Sequence, residues 1–263
     1  MAERTGAAAL LRRAAVDADS VELRGVSHRF GSTVALDGID LGVMRHGRVA
    51  IVGRSGSGKS TLLSLVAGLL EPGGGEVSVF GATAPADRLA RCALMPQRDL
   101  LLPWRSALDN AILALENRGL ARTEARALAK PLFGRFGLAG AESKRPSQLS
   151  GGMRQRVAFL RTLLAGKDVL LLDEPFGALD AITRGELQEW LAAALQDDPH
   201  TVLFVTHDVE EALLLCERVV VLSDGRVAAE LEVGVPRDRP RRQVVTSPEF
   251  TALREQALEA LEG

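Results

Sequence analysis

Gly47 to Val52 reads as a short apolar strand, and it runs straight into Gly53-Arg54-Ser55-Gly56-Ser57-Gly58-Lys59-Ser60. Behind that loop, Leu62, Leu63, Leu65, Val66 and Leu69 recur at helical spacing, which predicts a helix over Lys59 to Leu70. Strand, glycine loop and helix in this order leave few folds open. The glycines let the backbone curl so that successive N–H groups face one anion. The helix beginning near Gly58 points its partial positive end at the same place. The octet fits the phosphate-loop pattern at every fixed position. Lys59 is placed to reach the β- and γ-phosphates of a nucleotide and the Ser60 hydroxyl to ligate Mg²⁺. Gly53 to Ser60, with Thr61, are therefore candidate nucleotide-binding residues.

The rest of the chain alternates in a way that suits this start. Val21 to Phe30 and Val34 to Val43 read as strands about a Gly31-Ser32 turn. Pro72 and Gly73-Gly74-Gly75 are expected to stop the helix behind the loop, and Glu76–Phe80 and Cys92–Met95 read as strands. Residues 104–165 look mostly helical, with Ser106 and Thr123 as N-caps and Gly137 and Gly140 as breakers. Strand Asp168–Leu172, helix Asp180–Gln196, strand Thr201–Val205, helix Asp208–Cys216 and strand Arg218–Leu222 follow. Asp224-Gly225 turns into a strand over Arg226–Val233. A proline- and arginine-rich linker then leads to a helix opening near Ser247-Pro248. Strands alternating with helices predict a mainly parallel sheet covered by helices.

A second constellation lies at Val169-Leu170-Leu171-Leu172-Asp173-Glu174. A buried strand delivers carboxylates to its C-terminal end, where ligands bind in open α/β sheets. Asp173 is placed to hold Mg²⁺ and Glu174 to orient and polarise an attacking water.

Leu149-Ser150-Gly151-Gly152-Met153-Arg154-Gln155-Arg156, shortly before that strand, resembles the signature motif of ATP-binding cassette (ABC) ATPases. The resemblance covers nearly the whole chain. It implies a P-loop NTPase (RecA-like) core, an antiparallel β subdomain and an α-helical subdomain that carries the signature. The matching boundaries are an N-terminal extension over 1–19, an ATPase domain over 20–235 with the helical part at about 104–165, and a linker and helix over 236–263. It further implies that Gln97 is the glutamine sensing Mg²⁺ and the γ-phosphate, and that His207 is the switch histidine. Ser150, Gly151 and Gly152 then contact a nucleotide held by a second subunit, and Ala178-Leu179-Asp180 lies at the dimer seam. Gln97 or His207 taken alone reads as well as a polar loop residue or a satisfied core histidine; order and spacing after the phosphate loop favour the site roles. Two positions depart from the commonest pattern. Phe30 stands where an adenine-stacking Tyr is frequent, and is either that aromatic or a core residue at a strand end. Met153 stands where many signatures have Gln.

The stretch Gln97-Arg98-Asp99-Leu100-Leu101-Leu102-Pro103-Trp104, with Asp109-Asn110 and Phe176 to Arg184, is similar to the nitrate/sulfonate/taurine importer branch. That resemblance implies an energy-coupling subunit using ATP and Mg²⁺ as a head-to-tail dimer, with a second, identical ATPase subunit as the expected partner. Its partners would be transmembrane permease subunits and, indirectly, a substrate-binding protein. Leu101, Leu102 and Trp104 are candidates for the permease contact, unless Trp104 only anchors the helical insert. Close relatives of that branch serve a thiamine pyrimidine precursor, and other ABC ATPases drive lipid extraction or signalling.

Composition narrows the rest. A formal net charge of −2 over 263 residues gives no sign of a nucleic-acid binder. No run approaches the roughly 18 apolar residues needed to span a bilayer, so the expected location is the cytoplasmic face of the membrane, peripherally. Cys92 and Cys216 sit in apolar runs and read as buried thiols rather than a disulfide. Arg237, Arg239, Arg241 and Arg242 read as a solvated linker or as a patch near anionic lipid.

Overall fold

The computed structural model describes residues 19–177, 179–197, 200–235 and 241–262. Of the extension expected over 1–19, residues 1–18 lie outside the described residues, as do Ala178 and the stretch 236–240, while Asp19 already belongs to the first strand. In chain order the elements begin with β1 (Asp19–Phe30), β2 (Thr33–Met44), β3 (Arg48–Val52), α1 (Lys59–Val66), β4 (Gly74–Val79), α2 (Pro85–Arg91) and β5 (Cys92–Met95). The helical insert follows as α3 (Ala107–Ala111), α4 (Leu113–Asn117), α5 (Arg122–Arg135) and α6 (Gly151–Leu163). The chain then returns to β6 (Val169–Asp173), α7 (Ala181–Asp197), β7 (Thr201–Thr206), α8 (Val209–Leu215), β8 (Arg218–Ser223) and β9 (Arg226–Glu232). It closes with α9 (Arg241–Val245) and α10 (Pro248–Glu262).

The larger sheet has the order β5-β6-β7-β3-β8-β9, parallel up to β8 and antiparallel at β9. Its inner strands are apolar on both faces because both faces are covered. Val49 and Ile51 of β3, Leu171 of β6 and Val205 of β7 pack toward α1 and toward Leu23, Ile39 and Val77 of a separate antiparallel sheet, β2-β1-β4. Ala50 and Val52, Leu170 and Leu172, and Phe204 face the other way, onto Val157 of α6, Leu187 of α7, Leu213 of α8 and Phe250 of α10. The period of two along each strand thus divides one sheet between two cores.

Several local expectations are corrected. The helix behind the loop ends at Val66, not Leu70, because Gly68 turns left-handed (φ 75°) where a Cβ would strike the Pro85 carbonyl. Pro72 and the glycine run lie beyond that stop. Helix α2 was not anticipated; only Arg88 of its residues is buried, so it carries no apolar stripe to read. Ser106 does cap α3, accepting from the Asp109 N–H at 3.1 Å. Thr123 caps nothing: α5 starts at Arg122 with Ala121 in the cap position. Arg241 and Arg242, expected in a linker, begin α9, and Val244 beside them is buried. Ser247 accepts from the Phe250 N–H at 3.2 Å and sets the start of α10, which docks on α8, β8 and β9.

The insert is joined to the sheet through Ala107, Phe133, Phe136 and Phe159, which belong to the same core as Leu170. Its own polar clamp is Asp109, which accepts from Arg122 at 2.5 Å and Arg126 at 2.8 Å. Burial pushes that carboxyl up, but the hydrogen bonds and charges of Arg126 and Arg122 outweigh it and hold the group well below the usual range. Cys92 and Cys216 are buried and not joined, and burial pushes the Cys92 thiol up to about 12.

Candidate functional site

Four adjacent strands, β5, β6, β7 and β3, end on one edge of the sheet. Their ends deliver Gln97, then Asp173 and Glu174, then His207, then the loop Gly53–Ser60. Residues far apart in sequence therefore meet because the strands carrying them are neighbours, at the carboxyl edge where such sheets bind ligands.

The loop is built by its glycines. Gly56 (φ 84°) and Gly58 (φ 99°) are left-handed, and a Cβ on Gly58 would strike the Ala35 carbonyl. Lys59 reaches back and donates to the carbonyls of Gly53 and Arg54, both at 2.8 Å. Burial lowers its pKa, opposed by the charges of Glu174 and Asp173. Its ammonium is thus held beside the loop it would serve, next to two carboxylates. The loop borders an open cleft of about 600 Å³, into which Phe30, Ser55, Lys59, Ser60 and Thr61 face together with Gln97, Glu174 and His207. Arg54 and Ser57 line a second hollow on the far side of the loop with Ser223 and Asp224. The buried Ser57 Oγ has no hydrogen-bond partner there.

On the carboxylate side, Ser60 Oγ donates to Asp173 Oδ1 at 3.2 Å, bridging loop and strand end. Burial pushes the Asp173 carboxyl up; the Ser60 hydrogen bond opposes this, Glu174 adds to it and Lys59 opposes it. A hydroxyl and a carboxylate of this kind fit Mg²⁺, which takes few protein oxygens and completes its shell from phosphate and water. Among the described residues no cluster of His, Cys, Asp and Glu competes for a metal ion. Glu174 adopts a left-handed backbone (φ 43°), unusual for this residue type, and its N–H donates to the Val205 carbonyl at 2.8 Å. That bend turns its carboxylate into the cleft. Gln97 Nε2 donates to Glu174 Oε2 at 3.0 Å, and His207 Nδ1 lies 3.4 Å from the same oxygen.

Phe30 is 53% exposed, so it is not a core residue; the His28 ring meets it edge-on at 4.7 Å. Thr33, Val34 and Ala35 beside it also line the cleft. Sequence reading missed them, although their place just after the Phe30 turn was the available signal. Ser150, Gly151 and Gly152 do not reach this cleft. Ser150 Oγ accepts from the Met153 N–H at 3.2 Å and caps α6. Gly152 lies so close to Thr183 that a Cβ would come within 2.7 Å of its methyl. Met153 is partly buried and packs against the core.

The segment after Gln97 is tied to α6. Arg154 Nε donates to Asp99 Oδ2 at 3.2 Å, and Arg161 donates to the carbonyls of Asp99 (2.7 Å) and Leu100 (2.9 Å). Sequence periodicity carried no sign of Asp99 in this role, because its partners lie more than fifty residues away. Trp104 is 69% exposed and belongs to no hydrophobic core among the described residues; Leu101, by contrast, is buried in the core.

The fold and its loop place the chain among the P-loop nucleotide hydrolases. The family model for ABC transporters matches residues 36–177. The chain is 46% identical over 241 residues to the aliphatic sulfonates import ATP-binding protein SsuB 1 of Rhodococcus jostii (strain RHA1), covering 92% of this chain and 93% of that protein. It is 44% identical to the nitrate import ATP-binding protein NrtD of Synechococcus elongatus, covering 88% of this chain and 86% of that one. Among solved structures, the ATP-binding cassette MJ0796, a dimer in a post-hydrolysis state bound to ADP and Pi, matches with a TM-score of 0.72 at 30% identity, over 81% of this chain and 98% of that one. The chain belongs to the ABC transporter family: it is an ATP-binding, ABC-type ATPase with the P-loop α/β fold. Among the described residues no helix is long and apolar enough to cross a membrane.

Proposed function

We propose that this chain is the energy-coupling ATPase of an importer of the nitrate/sulfonate/taurine type, acting as a head-to-tail pair of identical chains beneath membrane permease subunits. The observation that carries the pairing is the division of the site: the cleft gathers the loop, Gln97, Glu174 and His207 but not Ser150 to Gly152. In the pair, Ser150, Gly151 and Gly152 of one chain close over the ATP held by the other chain. The ATPase domain spans 20–235, its helical part about 104–165, and 236–263 form an appended segment.

In each site, Lys59 and the amides of Gly53 to Ser60 hold the phosphates, Thr61 supports them, and Phe30 stacks on the adenine. Ser60, Asp173 and Gln97 would hold Mg²⁺, which supplies charge neutralisation at the phosphate oxygens. Glu174 orients and polarises a water in line with the γ-phosphate, and His207 contacts that phosphate. Catalysis is mainly positioning plus electrostatic stabilisation. The loop after Gln97 and the exposed Trp104 meet the permease, so closure of the pair becomes motion in the membrane.

Relatives named for sulfonate, nitrate and bicarbonate stand at 44–46% identity. The cargo is therefore set by the permease and a substrate-binding protein rather than by this chain. Affinity purification from gently solubilised membranes tests the reading. Recovery of a permease with a binding protein is the expected result, on the cytoplasmic side of the membrane; recovery of ribosomes, DNA or a lipid-extraction complex would overturn it.

A further inference from the structure

The loop that carries His207 is held from below by a buried carboxylate outside the cleft. Glu211, on the first turn of α8, is 4% exposed. Its Oε2 accepts from Thr206 Oγ1 at 2.7 Å, and its Oε1 accepts from Gln188 Nε2 of α7 at 3.0 Å. Thr206 Oγ1 in turn accepts from the Asp208 N–H at 3.0 Å. The residues on both sides of His207 are thus fixed by one hydrogen-bonded chain that ends on Glu211, while the His207 side chain itself stays 56% exposed beside Glu174.

A single cation connects this chain to another part of the site. Arg184 Nη2 donates to the Leu179 carbonyl at 3.1 Å, and its backbone N–H to the Asp180 carbonyl at 2.9 Å. The same guanidinium faces Asp208 Oδ2 at 3.7 Å and Glu211 Oε1 at 3.8 Å, and its Nε has no hydrogen-bond partner. Gln188 Oε1 is likewise unpaired. The network is tight at Thr206 and slack at Arg184, so a shift of under 1 Å at Arg184 (about the difference between 3.8 Å and a normal 2.9 Å contact) would complete it.

We propose that Glu211 is a positioning residue that sets His207, and that Arg184 links this setting to the Leu179–Asp180 segment. The inference rests on the reading of His207 given above. Neither residue lines the cleft. Removing Glu211 leaves Thr206 Oγ1 and Gln188 Nε2 without their acceptor in the interior, which favours a rearranged loop over a simple gap.

The test uses the full chain with isotopically labelled histidine, Mg²⁺ and a non-hydrolysable ATP analogue. His207→Ala identifies the His207 ring signal among the four histidines. Glu211→Ala, Thr206→Val and Arg184→Ala are expected to displace or broaden that signal and leave those of His28 and His46 in place. Thr206→Ser, which keeps the hydroxyl, is expected to restore it. Should Glu211→Ala fold poorly in a thermal melt, Glu211→Gln and Thr206→Val carry the same comparison. Kinetically, Glu211→Ala is expected to lower kcat about tenfold while the analogue Kd stays within about twofold. In a His207→Ala background it is expected to cost nothing more. An unmoved His207 signal, or losses that multiply in the double variant, would overturn the proposal. If His207→Ala alone left kcat unchanged while Glu211→Ala still moved the ring, the role of His207 in hydrolysis would fall and the positioning would stand.

Discussion

The cluster at the strand ends and the N-terminus of α6 are both glycine-marked, yet they are finished to different degrees within one chain. At the strand ends the site side chains are tied to one another: Lys59 to the loop carbonyls, Ser60 to Asp173, and Gln97 and His207 around one oxygen of Glu174. At α6, Ser150 only caps its own helix, and the glycines behind it pack on Leu179 and Thr183. A helix N-terminus with a capping serine and two glycines is well suited to an anion. The cleft lined by the phosphate loop of the same chain does not include it. The difference teaches that the first region is completed by folding alone, while the second is left outside the cleft of its own chain, as the proposed pairing requires.

Substitutions can break or sharpen that contrast. The largest effect is expected for Glu174→Gln: ATP binding persists while steady-state turnover drops by about 10²- to 10⁴-fold, the range for a residue that manages the proton of the attacking water. Lys59→Ala should weaken nucleotide binding by about 10- to 100-fold in isothermal titration, since a charge-assisted contact to phosphate is lost. Unchanged affinity would remove Lys59 from the phosphate site. Ser150→Ala should leave the affinity of the single chain untouched and lower its stability by about 1 kcal/mol through the lost cap. Its turnover should nevertheless fall, and only in the paired state; a matching loss of single-chain affinity would erase the contrast. Phe30→Ala should cost the least, about fivefold in affinity for an exposed stack on adenine, with kcat preserved. A guanine or inosine triphosphate should bind equally poorly to that variant if Phe30 contributes only its ring face.

Within the strand-end cluster, the phosphate loop and the Asp173-Glu174 pair were legible in the sequence because each is announced locally, whereas Gln97 and His207 were picked out only by the resemblance and by their order after the loop. A glycine loop between strand and helix, and an apolar strand ending in Asp-Glu, have short-range physical causes. What was not legible depends on tertiary approach. Gly68 ends α1 because Pro85 is packed behind it, and the sequence pointed instead to Pro72. Helix α2 has no apolar stripe, so periodicity could not find it. Leu101 and Trp104 look alike as apolar residues in a loop, but one is buried and the other 69% exposed. Asp99 and Glu211 take their meaning from Arg154, Arg161, Arg184 and Gln188, whose distance in sequence hides them.

The central claim is that the signature of one chain completes the site of another. Sedimentation of Glu174→Gln with ATP and Mg²⁺ tests it, alone and combined with Gly151→Asp. Residue 151 is the first of α6, where a carboxylate suits the helix. A Cβ there meets Leu179 at an ordinary 3.4 Å, so the chain itself should tolerate the change. The account predicts an ATP-dependent dimer for Glu174→Gln and a monomer with ATP still bound once Gly151→Asp faces the partner's phosphates. Equal dimerisation with and without Gly151→Asp, or no dimer in either, would contradict it.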